Sequence, residues 1–134
     1  MMTQYGFLLA CAGLSLSFAV PAAAAALRCL ADFEPGSFRV APMSGGREAT
    51  HCIADPAELA MAGRSGGPQC RVTVVRDGPS SGVLSWTCQD GRSGRSEVRR
   101  DAAGIYTIVA QGVEGGLPWA SRGEWRRVGS CNGR

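Results

Sequence analysis

A chain of 134 residues with a formal net charge of +3 has room for one domain, and its 19 Gly, 7 Pro and 6 Cys mark it as turn-rich and stapled rather than helical. All 14 basic residues are Arg, and they interleave with 11 acidic side chains. The charges form no concentrated basic arm, which argues against nucleic acid as a partner, and an Arg-only basic set fits a GC-rich coding bias as readily as selection for phosphate.

The N-terminus carries no charged side chain from Gly6 to Leu27. An apolar stretch, Phe7 to Val20, is followed by Pro21 and the small-residue string Ala22 to Ala26, the pattern a signal peptidase reads. Residues 1–26 are therefore expected to be a cleaved signal peptide, and residues 27–134 a single disulfide-stapled β domain. Met1 to Tyr5 bring no Lys or Arg, so only the α-amino group orients insertion. Two rival readings use the same residues. One is an uncleaved anchor, which a run of this length could supply. The other is a lipoprotein, on Leu8-Leu9-Ala10 before Cys11, although the apolar segment ahead of that cysteine is short. The first reading implies a periplasmic or secreted protein that leaves the membrane once the leader is removed.

Beyond the leader, Ser37 to Ala41 reads as a first strand, Pro42 to Gly46 as a loop and Glu48 to Ile53 as a second strand. Asp55-Pro56-Ala57-Glu58 is a capping-box pattern with Pro at the first helical position, and Gly63 can close the helix it starts. The helix, Pro56 to Ala62, spans only two turns, so it must dock on a sheet through Leu59 and Met61 or Ala62. Strands then recur at Cys70 to Arg76, Val83 to Gln89, Arg95 to Arg100 and Ile105 to Val113, with Asp-Gly and Gly turns between them. Leu84, Trp86 and Cys88 share one face, the core side. Ile105 to Val113 is apolar on both faces and should be central. After Gly115-Gly116, the last strand puts Leu117, Trp119 and Trp125 on one parity and Arg122, Glu124 and Arg126 on the other. The spacing predicts a mainly β fold: an antiparallel meander of six or seven strands curled into a half-barrel or small barrel, with one short helix.

The order of short motifs resembles that of domain-of-unknown-function family 3617. The residues that carry it are Pro35-Gly36-Ser37-Phe38-Arg39-Val40, Cys52-Ile53-Ala54-Asp55-Pro56, Cys70, Ser85-Trp86-Thr87-Cys88 and Trp125-Arg126-Arg127-Val128-Gly129-Ser130-Cys131. The resemblance covers roughly Glu34 to Cys131. The resemblance implies a small secreted or periplasmic protein of a Gram-negative bacterium, and it implies no activity and no site residues.

Five cysteines remain after the leader, and in an oxidising compartment an even subset should pair. The expected bridges are Cys52–Cys70, which would close the helical excursion, and Cys88–Cys131, which would tether the C-terminal tail. Cys29 is left unpaired near a loose N-terminus. Zinc on Cys52, Cys70 and Cys88 beside His51 is the alternative use, but the close Cys pair typical of zinc sites is missing. Neither a metal nor a cofactor is expected.

His51 is the only histidine, so a His-based hydrolase must use it; as a strand residue it can equally be an exposed polar position. Arg95-x-Glu97-x-Arg99 and Arg122-x-Glu124-x-Arg126 each put alternating charge on one strand face. On one sheet they could pair across strands, or Arg95, Arg99, Arg122 and Arg126 could form a face for an anionic partner such as lipid head groups or an acidic protein. The expectation is a non-catalytic cell-envelope scaffold that binds an unidentified ligand or envelope protein. Its rivals are a small periplasmic hydrolase using His51 and a secreted enzyme inhibitor that uses the loop Gly63 to Pro68.

Overall fold

A computed structural model of the chain describes residues 27–64 and 69–132. The expected signal peptide, and the part of the Gly63 to Pro68 loop beyond Arg64, lie outside the described residues. Seven strands form one antiparallel sheet: β1 (Gly36–Pro42), β2 (Ala49–Ile53), β3 (Cys70–Asp77), β4 (Ser81–Cys88), β5 (Ser93–Ala102), β6 (Ile105–Glu114) and β7 (Leu117–Gly129). One short helix, α1 (Pro56–Ala60), joins β2 to β3, and a 3-10 turn at Arg28–Leu30 precedes β1. The order across the sheet is β2-β1-β7-β6-β5-β4-β3. β6 is central, as expected, but only its inner face is covered: Val109 and Val113 on the outer face are 42% and 39% exposed. β2 and β3 are free edges, so the sheet stays open; of the two expected shapes a curled open sheet is compatible with it and a closed barrel is not.

Local chemistry accounts for the meander. The Gly115-Gly116 turn joins β6 to β7 with φ of 59° and 75°, the two positive values that a two-residue hairpin turn of the primed kind requires. In β5 the alternation of exposed Arg95, Glu97 and Arg99 with buried Ser96 and Val98 sets an outer and an inner face. On the inner face a cross-sheet row reads Trp86, Gly94, Gly112, Trp119. The two indoles stack with centroids 6.1 Å apart, and a Cβ added at Gly94 would stand 2.2 Å from the Trp86 ring. Gly94 thus leaves the space that the Trp86 ring fills, and Gly112 lets the β5 backbone come close.

The helix forms as its capping pattern requires: the Asp55 side chain accepts the Glu58 N–H at 3.0 Å, and Gly63, at φ +75°, donates to the Glu58 carbonyl. Leu59, Ala60 and Met61 are buried on the inner face of the sheet, and the Ser96 hydroxyl donates to the Ala60 carbonyl. The N-terminal segment is anchored rather than loose. Leu27, Cys29 and Leu30 are buried, Leu27 packs over Gly82, and Arg28 N–H donates to Asp77 at 2.8 Å. Leu117, expected on the core side, is 71% exposed because β6 and β7 run beyond the other strands at that end.

The four expected cysteines are bridged, but in a different pairing: Cys52–Cys131 and Cys70–Cys88. Strand order explains the correction. Cys52 and Cys70 sit on opposite edges of the seven-stranded sheet, β2 and β3, and cannot meet. Cys70 instead faces Cys88 in the β3–β4 ladder, and Cys131 follows the end of β7, which β1 alone separates from β2. Cys29 is free, as expected, yet fully buried.

Candidate functional site

The cleft with the most varied chemistry opens where strand lengths disagree. β1 pairs with β7 only as far as Pro42 opposite Gly123, whereas β7 begins six residues earlier, at Leu117. Beyond Pro42 the chain turns away, and a cleft of about 480 Å³ lies between that turn, β7 and the C-terminal end of α1. Val40, Pro42 and Trp125 give it an apolar side; Ser44, His51, Arg64 and Ser121 bring polar groups.

Each of these positions follows from register. Val40 pairs with Trp125 and Phe38 with His51, so all four share the inner face. Phe38 is buried, while His51, on the edge strand, keeps its ring exposed and lies against Trp125 with centroids 5.5 Å apart at 28°. Gly63 packs on the same indole, where a Cβ would come within 2.9 Å of the Trp125 ring. Arg64 follows, its guanidinium 3.7 Å from the Trp119 ring centre and paired with Glu114. No described residue hydrogen-bonds His51, and no carboxylate lines the cleft among the described residues.

The four expected outer-face arginines do share one face, but their motifs do not pair with each other. β6 lies between β5 and β7, which puts the two motifs about 10 Å apart, two strand spacings. Charge is matched locally instead: Arg99 with Asp101 at 2.7 Å, Arg126 with Glu124 at 3.1 Å, and Glu97 with Arg76 at 3.6 Å. Burial pushes the Asp101 carboxyl up, but hydrogen bonds from Thr107 and Arg99 outweigh it and hold the group below its usual value. Arg95 and Arg122 have no carboxylate partner among the described residues. Of the four expected arginines, these two alone keep an uncommitted charge for an anionic partner among the described residues.

Zinc loses its ligands here, because Cys52, Cys70 and Cys88 are in disulfides and a disulfide sulfur is not a thiolate. Among the described residues, no group of three or more His, Cys, Asp or Glu is placed to hold a metal ion. At the far end of the sheet a smaller cleft of about 270 Å³ is lined by Asp32, Glu34 and Arg127, but those charges are committed to Arg100 and to each other. Family models, curated proteins and solved structures offer no match to this chain.

The sequence marks His51 and Arg122 but does not mark Val40, Ser44, Ser121 and Trp125 as their neighbours. The signal was the mismatch between a 7-residue β1 and a 13-residue β7, which becomes informative only once the two are known to pair.

Proposed function

We propose that this is an exported, non-catalytic binding protein of the cell envelope, periplasmic or secreted, whose ligand sits in the cleft beside Trp125. The observation that carries the reading is the pairing of an apolar side, Val40, Pro42 and Trp125, with a few polar groups in a volume suited to a small ligand or a short segment of a larger one. His51 suits a binding wall: its ring lies on Trp125 and no hydrogen bond from a described residue orients it as a base. Two disulfides are compatible with an oxidising compartment, and no helix among the described residues is long and apolar enough to cross a membrane. Membership of domain-of-unknown-function family 3617, proposed on the motif order above, would agree with export.

The test is native mass spectrometry of protein purified from envelope extract, alongside a thermal-shift comparison with Trp125→Ala. A bound adduct that the variant loses is expected. An adduct-free mass, with no stabilisation by the extract in either protein, overturns the reading.

The hydrolase alternative has one specific observation in its favour: Ser44 and Ser121 line the same cleft as His51. His51→Ala decides between the two. A phenotype lost while the bound adduct and the melting curve are kept supports chemistry, and a phenotype retained, or lost together with the adduct, supports binding.

A further inference from the structure

The cleft has an unpaired strand edge as one wall. β7 from Leu117 to Ser121 pairs with β6 on one side only, because β1 stops at Pro42 and the last contact of that chain with β7 is Met43 on Arg122. The Arg122 carbonyl turns away from β6, where it accepts the Met43 N–H at 2.9 Å. By the alternation of an antiparallel ladder, Ala120 and Pro118 turn their backbone groups to the same side. The ladder agrees with this twice. Pro118, which has no N–H, stands at a position that owes none to β6, and Leu117 opposite Glu114 is the bonded pair that closes a two-residue turn. The Ala120 N–H, the Ala120 carbonyl, the Pro118 carbonyl and the Arg122 N–H therefore face the cleft side without a backbone partner among the described residues.

The sheet's other edges are guarded. The five residues of β2 are tied down by the Cys52–Cys131 bridge, and β3 carries a register break between Val74 and Arg76. The β7 edge is blunted only by Pro118, and it adjoins a cleft that can take side chains.

We infer that this edge binds an extended peptide segment of a partner protein by strand addition, in the place that β1 leaves vacant. The inference rests on the cleft being the binding site. One peptide residue lies opposite Ala120, accepting its N–H and donating an N–H to its carbonyl. That residue points outward with Ala120, so an acidic side chain there reaches diagonally to Arg122, whose side chain has no described carboxylate partner, while its neighbours point inward and an apolar one enters the cleft beside Val40 and Trp125. Backbone pairing supplies affinity, and the alternation of apolar and acidic residues supplies selectivity.

The test is to pan the protein, purified without its leader, against a phage-displayed library of linear heptapeptides, then to measure the enriched peptides by fluorescence anisotropy. Alternating apolar and acidic sequences should emerge. Two changes should each weaken them at least about tenfold: Ala120→Pro, which removes the edge donor without touching the β6 ladder, and N-methylation of the peptide residue opposite Ala120. The N-methyl peptide decides the matter if Ala120→Pro does not fold. Failure to enrich any peptide, or binding indifferent to N-methylation at every position, overturns the inference. Binding that Trp125→Ala abolishes but N-methylation leaves intact keeps the cleft as the site and removes strand addition. The opposite result keeps the edge and removes the cleft.

Discussion

Gly94 stands directly opposite Trp86 in the β4–β5 ladder, and the indole occupies the space where any other residue would put its Cβ. Only a hydrogen at that position lets the ring lie flat across the sheet toward Trp119. Gly94→Ala is therefore expected to destabilise the fold by overpacking, by about 1–3 kcal/mol. Thermal unfolding checks it, and a melting point equal to that of the parent would show that Trp86 rotates away freely.

Non-reducing peptide mapping should yield Cys52–Cys131 and Cys70–Cys88 as the only major bridges. Their sequence separations of 79 and 18 imply stabilisation of about 4.5 and 3 kcal/mol in the chain-entropy account. Replacing both members of the longer bridge by Ser should lower denaturant resistance more than replacing both members of the shorter one. The reverse order would mean that native packing, not loop closure, sets the contribution.

Cys29 is fully buried, its thiol reaches toward the Val98 carbonyl at 3.8 Å, and burial pushes its pKa up. The thiolate is the reactive form, so a water-soluble thiol reagent at pH 8 should leave Cys29 untouched until the chain unfolds. Labelling followed with and without guanidinium reads this directly. Rapid native labelling would place the N-terminal segment off the sheet.

Asp32 accepts the Arg100 Nε–H at 2.9 Å on both carboxylate oxygens, and that hydrogen bond holds its carboxyl below the ordinary value of 3.8. A group whose pKa is depressed on folding contributes stability that is fully present above the unfolded pKa and is lost as pH falls through the folded one. The gap in melting temperature between the parent and Asp32→Asn should therefore be constant from neutral pH down to about 5 and close below about 4. Both side chains are partly exposed, so the gap should be small and should shrink in salt. A gap that widens on acidification would refute the pairing.

Tyr106 is buried to 1% exposure, and its hydroxyl has no hydrogen-bond partner among the described residues. Tyr106→Phe removes a desolvated polar group and keeps the ring against Phe38, so stability should hold or rise by about 1 kcal/mol. A loss of more than that would reveal a partner for the hydroxyl, such as an ordered water.

Much of this fold was legible in the chain because its signals are local. Asp55-Pro56 with Glu58 marks a helix start whatever surrounds it; alternation in Arg95 to Arg100 and Leu84 to Cys88 separates two faces; Gly115-Gly116 dictates a hairpin. These fix which residues point inward and which strands follow one another. They do not say where the first hairpin goes. That β1 inserts beside β7, and not beside β3, decides the disulfide pairing, brings His51 onto Trp125 and opens the cleft against the overhanging end of β7. Side-chain periodicity names a face but not a neighbour, and strands nearly a whole domain apart in sequence find each other only through the packing of the complete inner face.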